Sequence, residues 1–158
     1  MAEFVIRRAE GRDEAALLRL AGRLAAFELP VWRDSANVIG ADADAMLAAA
    51  RTNLADENVF VAEAGDEVVG CLHVLAATDF FGLRHAHVSV IAASAAAEGS
   101  GVGRALLAYA EEWGRLRRLP LLTLNAFANN TRARLFYERA GMSVEFVKYA
   151  KAIPADRS

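Results

Sequence analysis

Apolar and polar positions along this chain alternate with two different periods, and the places where the period changes mark out its elements. Phe4–Arg8 reads as a short strand. From Asp13 to Leu29, residues Ala16, Leu17, Leu20, Leu24 and Phe27 recur at three- and four-residue spacing. That is one face of an amphipathic helix. Pro30–Ala41 reads as a loop carrying Trp32 and Asp34, and Asp42 is the expected N-cap of a second helix running to about Leu54. Val59–Glu63 and Val68–Leu75 are β-rich runs joined by Gly65-Asp66, a hairpin signal. His85–Ala93 is a further strand. A helix is predicted from near Gly101 to about Arg118, a buried strand over Leu121–Ala126, and another helix from about Thr131 to Ala140, closed by Gly141 as a C-cap glycine. Met142–Ile153 closes the series as extended structure. Pro30, Pro120 and Pro154 all fall at element boundaries. The order β-α-α-β-β-β-α-β-α-β predicts one domain over residues 1–158, a mixed α/β (α+β) arrangement with helices covering a sheet.

Composition narrows the possible roles. Of 158 residues, 55% are hydrophobic and 24% charged, as in a chain that folds around a core. The formal net charge of −2 leaves no basic excess to neutralise a nucleic-acid backbone. The lone cysteine, Cys71, has no internal disulfide partner, and no Cys/His cluster has zinc spacing, so no metal is expected. Cys71 reads as a small buried residue rather than a nucleophile. The N-terminus lacks a secretory apolar region and Leu72–Ala77 is too short to span a bilayer, so the expected setting is the cytoplasm, without a membrane partner.

The stretch Glu98-Gly99-Ser100-Gly101-Val102-Gly103-Arg104 joins a strand to a helix. Three glycines at alternate positions bring bare backbone to the surface, so N–H groups can converge on one anion at the positive end of the helix. Strand, glycine turn and helix together make a phosphate site. No Gly-Lys-Ser/Thr follows, which excludes the Walker pattern, and Gly103 falls one residue early for the dinucleotide fingerprint. Taken alone, the turn is also compatible with a helix cap that holds no ligand.

Together with a second motif, this turn resembles the GNAT N-acetyltransferase superfamily, whose signature is Gln/Arg-x-x-Gly-x-Gly/Ala at the start of a long helix. Gly101 and Gly103 match, while Glu98 stands where the family has Gln or Arg. The second motif is Asn130, Ala133, Phe136, Tyr137 and Gly141, with Met142 in place of the usual Phe. The resemblance covers about Phe4 to Ile153 and is sharp from His87 to Met142. It implies a mixed, mostly antiparallel twisted sheet of about six or seven strands with helices on both faces. It also implies a split between the strand ending at Ala93 and the strand Leu121–Ala126, with acetyl-CoA as co-substrate. The donor arm is then expected along Ile91, Ala92 and Ala93. Its diphosphate is expected on Gly99, Ser100, Gly101, Val102, Gly103 and Arg104, with Asn130, Ala133 and Phe136 completing the cofactor side. With an acid at Glu98, the phosphates must rely on backbone N–H groups and Arg104.

The implied reaction is attack of a primary amine on a thioester. An alkyl ammonium of pKa about 10.4 leaves only about one molecule in 2,500 as free amine at neutral pH, equivalent to about 4.6 kcal/mol. Removing that proton in the site, and giving one to the departing thiolate, are therefore the tasks of catalysis. The resemblance implies Tyr137 as the acid at the thioester sulfur. Histone-type members of the family carry a Glu on the central strand eleven residues before the Gln/Arg position; counted back from Glu98, the resemblance implies His87 as candidate base, with His85, His87 and Ser89 on one strand face by period two. Glu63, His73, Glu28 and a water relay remain open as alternatives. Amino-sugar-acting members carry Glu-Asp where this chain has Ser89-Val90, which speaks against that acceptor. Acceptor selection is expected from Phe27, Glu28, Trp32, Asp34 and Asp42, whose acidic and aromatic groups suit a cationic small-molecule or peptide amine. Seventeen residues follow Gly141, short for the usual terminal hairpin, so a homodimer is expected to complete the last sheet edge. A non-catalytic acyl-CoA-binding regulatory module with the same fold is the rival reading, and a nucleotide-phosphate binder a third.

Overall fold

The structure, a computed structural model, describes residues 3–156. Five strands form one sheet in the order of the chain: β1 (Val5–Arg8), β2 (Glu57–Ala64), β3 (Glu67–Thr78), β4 (Arg84–Ala93) and β5 (Leu122–Leu124). The first three pairings are antiparallel and β4 with β5 is parallel, so the sheet is mixed. Four α-helices accompany it: α1 (Glu14–Ala21), α2 (Ser35–Thr52), α3 (Val102–Leu116) and α4 (Thr131–Arg139). The hairpin at Gly65 forms as expected, with φ +62° at the glycine. Among the described residues the sheet has five strands rather than six or seven. Met142–Ile153 is not a strand of it, and Val144, Phe146, Val147, Tyr149 and Ile153 stand exposed along that segment.

Each face of the sheet carries its own core. Leu17, Leu20 and Ala21 of α1 and Ala43, Met46 and Ala49 of α2 pack on Val59, Val61, Cys71, Val90 and Ala92. Val102, Leu106, Ala110 and Trp113 of α3 pack on Phe60, Ala62, Leu72, Val74, Ala86 and Val88. Full burial of a side chain such as Leu106 contributes about 2 kcal/mol. α3 lies hard against β3 at Gly70: a Cβ there would come within 2.7 Å of Val102 Cγ1 and 2.9 Å of Leu106 Cδ1. That close approach sets where the start of α3, and hence the glycine turn, sits over the sheet.

Two helix boundaries depart from the periodicity. The predicted helix Asp13–Leu29 stays α-helical only to Ala21 and tightens into a 3₁₀ turn over Gly22–Ala25. α2 begins seven residues before the Asp42 expected to cap it. Asp34 is the true cap, its carboxylate accepting from the N–H groups of Ala36 (2.7 Å) and Asn37 (3.3 Å). The polar opening Ser35–Asn37 hid this start, because the first turn buries no apolar side chain. α4 ends as expected on Gly141, at φ +93°, with Met142 N–H donating to the Tyr137 carbonyl (3.0 Å) and Gly141 N–H to that of Glu138 (3.1 Å).

Candidate active site

The site is built by an irregularity in β4. His73 pairs with Val90 and the next residue, Val74, pairs with Val88, so Ser89 is an extra residue. Such a bulge bends its strand and swaps its faces. Before it, Ala86 and Val88 face the α3 core; after it, Val90 and Ala92 face the α1–α2 core. β5 follows β4 only up to the bulge, pairing Leu122, Thr123 and Leu124 with Ala86, His87 and Val88. From Ser89 to Ala93, β4 therefore presents its backbone to an open split.

A cavity of about 610 Å³ occupies the split. Its walls include Ile91, Ala92 and Ala93 of β4, the glycine turn with Gly99, Gly101, Gly103 and Arg104, and Asn130, Ala133, Phe136 and Tyr137 around α4. Eleven of the residues expected to hold donor or acid thus line one cavity. Ser100 and Val102 do not line it. The Ser100 hydroxyl turns back to the Ala97 carbonyl, and Val102 is buried on Gly70 as part of the α3 core. Gly101 is the N-cap of α3, at φ +91°, and the first helical bond runs from Ala105 N–H to its carbonyl (3.0 Å). The N–H groups of Val102, Gly103 and Arg104 precede that bond and have no partner within the helix. α4 lies close to this turn: a Cβ at Gly103 would meet Phe136 Cζ at 3.4 Å, an ordinary contact. Asn130 caps α4, its side-chain oxygen accepting from Ala133 N–H (3.3 Å), while facing the cavity. Bare donors, a widened strand edge and this volume fit a diphosphate on a long flexible arm.

A second cavity, of about 710 Å³, lies beyond β5. Asp79, His85, His87, Glu138 and the segment Met142–Phe146 line it. Leu124, Asn125, Ala126 and Tyr137 line both cavities. Tyr137 therefore stands at their junction, its ring edge-on to Phe136 with centroids 5.4 Å apart. Burial raises the Tyr137 pKa above its ordinary value, so the phenol keeps its proton at neutral pH. His87 opens on the second cavity, not the first, with Nδ1 facing Thr123 Oγ1 at 2.8 Å. Its pKa is lowered, first by burial and then by His85 and His73, so the ring is neutral at neutral pH. With Nδ1 engaged, Nε2 is the nitrogen available to a substrate. The expected common face of His85, His87 and Ser89 is split by the bulge: the two histidines line the second cavity and Ser89 the first.

The other candidate bases lie elsewhere. Glu63 accepts from Arg7 Nε at 2.6 Å, and His73 Nε2 is buried against Glu57 Oε1 at 2.9 Å. Neither they nor Glu28 line either cavity. Of the expected acceptor loop, Phe27 and Asp42 reach the first cavity, and burial raises the Asp42 pKa. Trp32 and Asp34 do not reach it. Arg23, Asn125, Phe127 and Arg132 are among the lining residues that periodicity and motif did not single out. Phe127 packs on Phe27 at 5.8 Å between ring centroids. Cys71 is fully buried and its thiol is pushed up to about 12 by burial, which removes it from any nucleophilic role. Among the described residues, no group of three or more His, Cys, Asp or Glu is placed to hold a metal, and no helix is long and apolar enough to cross a membrane.

The architecture is a mixed sheet opened at the β4 bulge, with the glycine-capped α3 beside the opening. Solved structures bear out the likeness of fold. A glucosamine-6-phosphate N-acetyltransferase from Arabidopsis thaliana superposes with a TM-score of 0.67 at 16% identity, over 96% of this chain and 99% of that one. Aminoglycoside N-acetyltransferase AAC(6')-Iy in complex with CoA gives 0.71 at 15% identity, over 96% of each chain. A transcriptional regulator from Bacillus halodurans C-125 gives 0.69 at 22% identity, over 96% and 100%. No curated protein matches the chain. The acetyltransferase (GNAT) family profile matches residues 25–142, and the chain belongs to that family.

Proposed function

We propose that this protein is an acetyl-CoA-dependent N-acetyltransferase that joins donor and amine in one ternary complex, with the thioester in the first cavity and the amine entering from the second. The observation that carries this reading is the position of Tyr137 on the wall common to both. The donor supplies an activated acetyl carbon. The diphosphate rests on the glycine turn at the N–H groups of Gly103 and Arg104, and the arm runs along Ile91–Ala93. His87 takes a proton from the ammonium, the freed nitrogen bonds to the thioester carbon, and as the carbon–sulfur bond breaks Tyr137 protonates the departing thiolate; the nitrogen gives up its second proton to solvent, from which the Tyr137 phenolate is reprotonated. Asp79, Glu138 and Glu145 around the second cavity favour a cationic acceptor, a primary amine on a small molecule or peptide.

The reading includes a homodimer and a cytoplasmic setting, where the single thiol stays reduced. β5 ends the sheet with an open edge, and the Ser143–Ile153 segment leaves five apolar side chains exposed. A second copy's segment pairing with β5 would cover both features at once.

One rival is a regulatory module that binds acyl-CoA without turnover. Glu98, an acid beside the expected diphosphate, and the fold likeness to a transcriptional regulator favour it. Incubating the protein with acetyl-CoA and a panel of polyamines, amino sugars, lysine and peptide N-termini, with released thiol as readout, separates the two. Turnover of at least one amine supports the enzyme. Calorimetric binding of CoA with no turnover on any amine supports the module, and no binding of CoA removes both.

A further inference from the structure

Glu98 stands against the phosphate end of the first cavity, yet it does not stand alone. Its Oε1 accepts from Arg23 Nη2 and its Oε2 from Arg132 Nη2, the latter at 2.8 Å. The two arginines come from opposite sides of the split: Arg23 from the 3₁₀ turn behind α1, Arg132 from the first turn of α4. All three side chains line the cavity together with the glycine turn. Arg23 reaches further still, its Nε donating to the Ala93 carbonyl at 3.3 Å. That carbonyl belongs to the strand edge along which the donor arm is proposed to run.

A carboxylate with one arginine on each oxygen has the charge pattern of a short diphosphate, whose two phosphoryl groups would each take one guanidinium. We propose that Glu98 is a built-in stand-in for the donor's diphosphate. It holds Arg23 and Arg132 across the mouth of the ligand-free site and surrenders them when the diphosphate arrives. This rests on the acyl-CoA reading above. The exchange makes the phosphate and arm ends of the site cooperate, because moving Arg23 off Glu98 also frees the Ala93 carbonyl. It also turns the acid at Glu98 from a defect in the motif into a selectivity device. A ligand must offer an anion able to satisfy both arginines before it can displace the carboxylate.

The test is calorimetric titration of coenzyme A into the wild type, Glu98→Gln, Arg132→Gln and the double variant, at low and high salt. The three side chains lie at the surface and outside both cores, so the variants are expected to keep the wild-type circular dichroism. Glu98→Gln should bind coenzyme A about 3- to 10-fold more tightly at low ionic strength, with the gain shrinking as salt screens the arginines. Arg132→Gln should cost more affinity in the Glu98→Gln background than in the wild type, since in the wild type part of its contribution is spent in leaving the carboxylate. Unchanged or weaker binding by Glu98→Gln, or an Arg132 effect equal in both backgrounds, overturns the stand-in. If the wild type itself does not bind coenzyme A, it is the acyl-CoA reading that fails.

Discussion

Tyr137 and His87 differ in how their surroundings treat them. Burial holds the phenol protonated and the imidazole neutral, which are the two states an acid–base pair needs before amine attack. Replacing Tyr137 by Phe removes the proposed proton donor and keeps the ring on Phe136. We expect kcat to fall by about 10²-fold, the lower end of the usual contribution of general acid–base catalysis, while coenzyme A affinity in calorimetry changes little. For His87 the sign follows from its lowered pKa. The acid limb of kcat/KM should inflect below about 6.5, the ordinary histidine value, because the neutral base persists to lower pH in the fold. The same shift makes its neutral burial stabilising above the ordinary pKa, a contribution lost as pH falls through the lowered one. His87→Gln should erase the limb. A limb that survives the substitution would transfer the base role to water or another group.

Among the elements, the packing of α3 on β3 decides where the anion cradle sits. Gly70→Ala would push a methyl against Val102 and Leu106 and to 3.2 Å from the Ala92 carbonyl. Overpacking of this kind costs about 1–3 kcal/mol. Thermal melting should show the loss, and because the displaced Val102 follows Gly101, coenzyme A affinity should fall with it. An unchanged melting temperature would mean that α3 can shift freely. The elements most legible in the sequence were those whose signals are local: the Gly65 hairpin, the glycine turn into α3, and the Gly141 stop. Periodicity starts α2 too late because Asp34 caps a turn with no apolar face, and it runs the helix from Asp13 too far because the apolar spacing continues through a tighter 3₁₀ turn. The bulge at Ser89 left no trace in the pattern. Residues 86, 88, 90 and 92 are all apolar, and only pairing with β3 reveals that the faces exchange between them. Arg23 and Glu98, 75 positions apart, meet only through the fold.

For the molecule as a whole, the open β5 edge and the exposed apolar stripe after Met142 bear on association. Sedimentation should report a dimer at micromolar concentration, and Phe146→Asp combined with Tyr149→Asp should shift it to monomer. A wild type that stays monomeric at the highest attainable concentration argues against the exchange of segments. Dissociation should also lower turnover, because Met142–Phe146 forms one wall of the cavity shared with His87 and Tyr137.

Cys71 gives the assays an unexpected convenience. Sealed beneath α1 and α2 with its proton held to about pH 12, it is silent toward disulfide reagents in the native state. A colorimetric thiol titration of the proposed reaction should therefore count liberated coenzyme A with no background from the protein. The same reagent added after denaturant will register one sulfur per polypeptide, so a single dye can report both product formed and the fraction of molecules still folded.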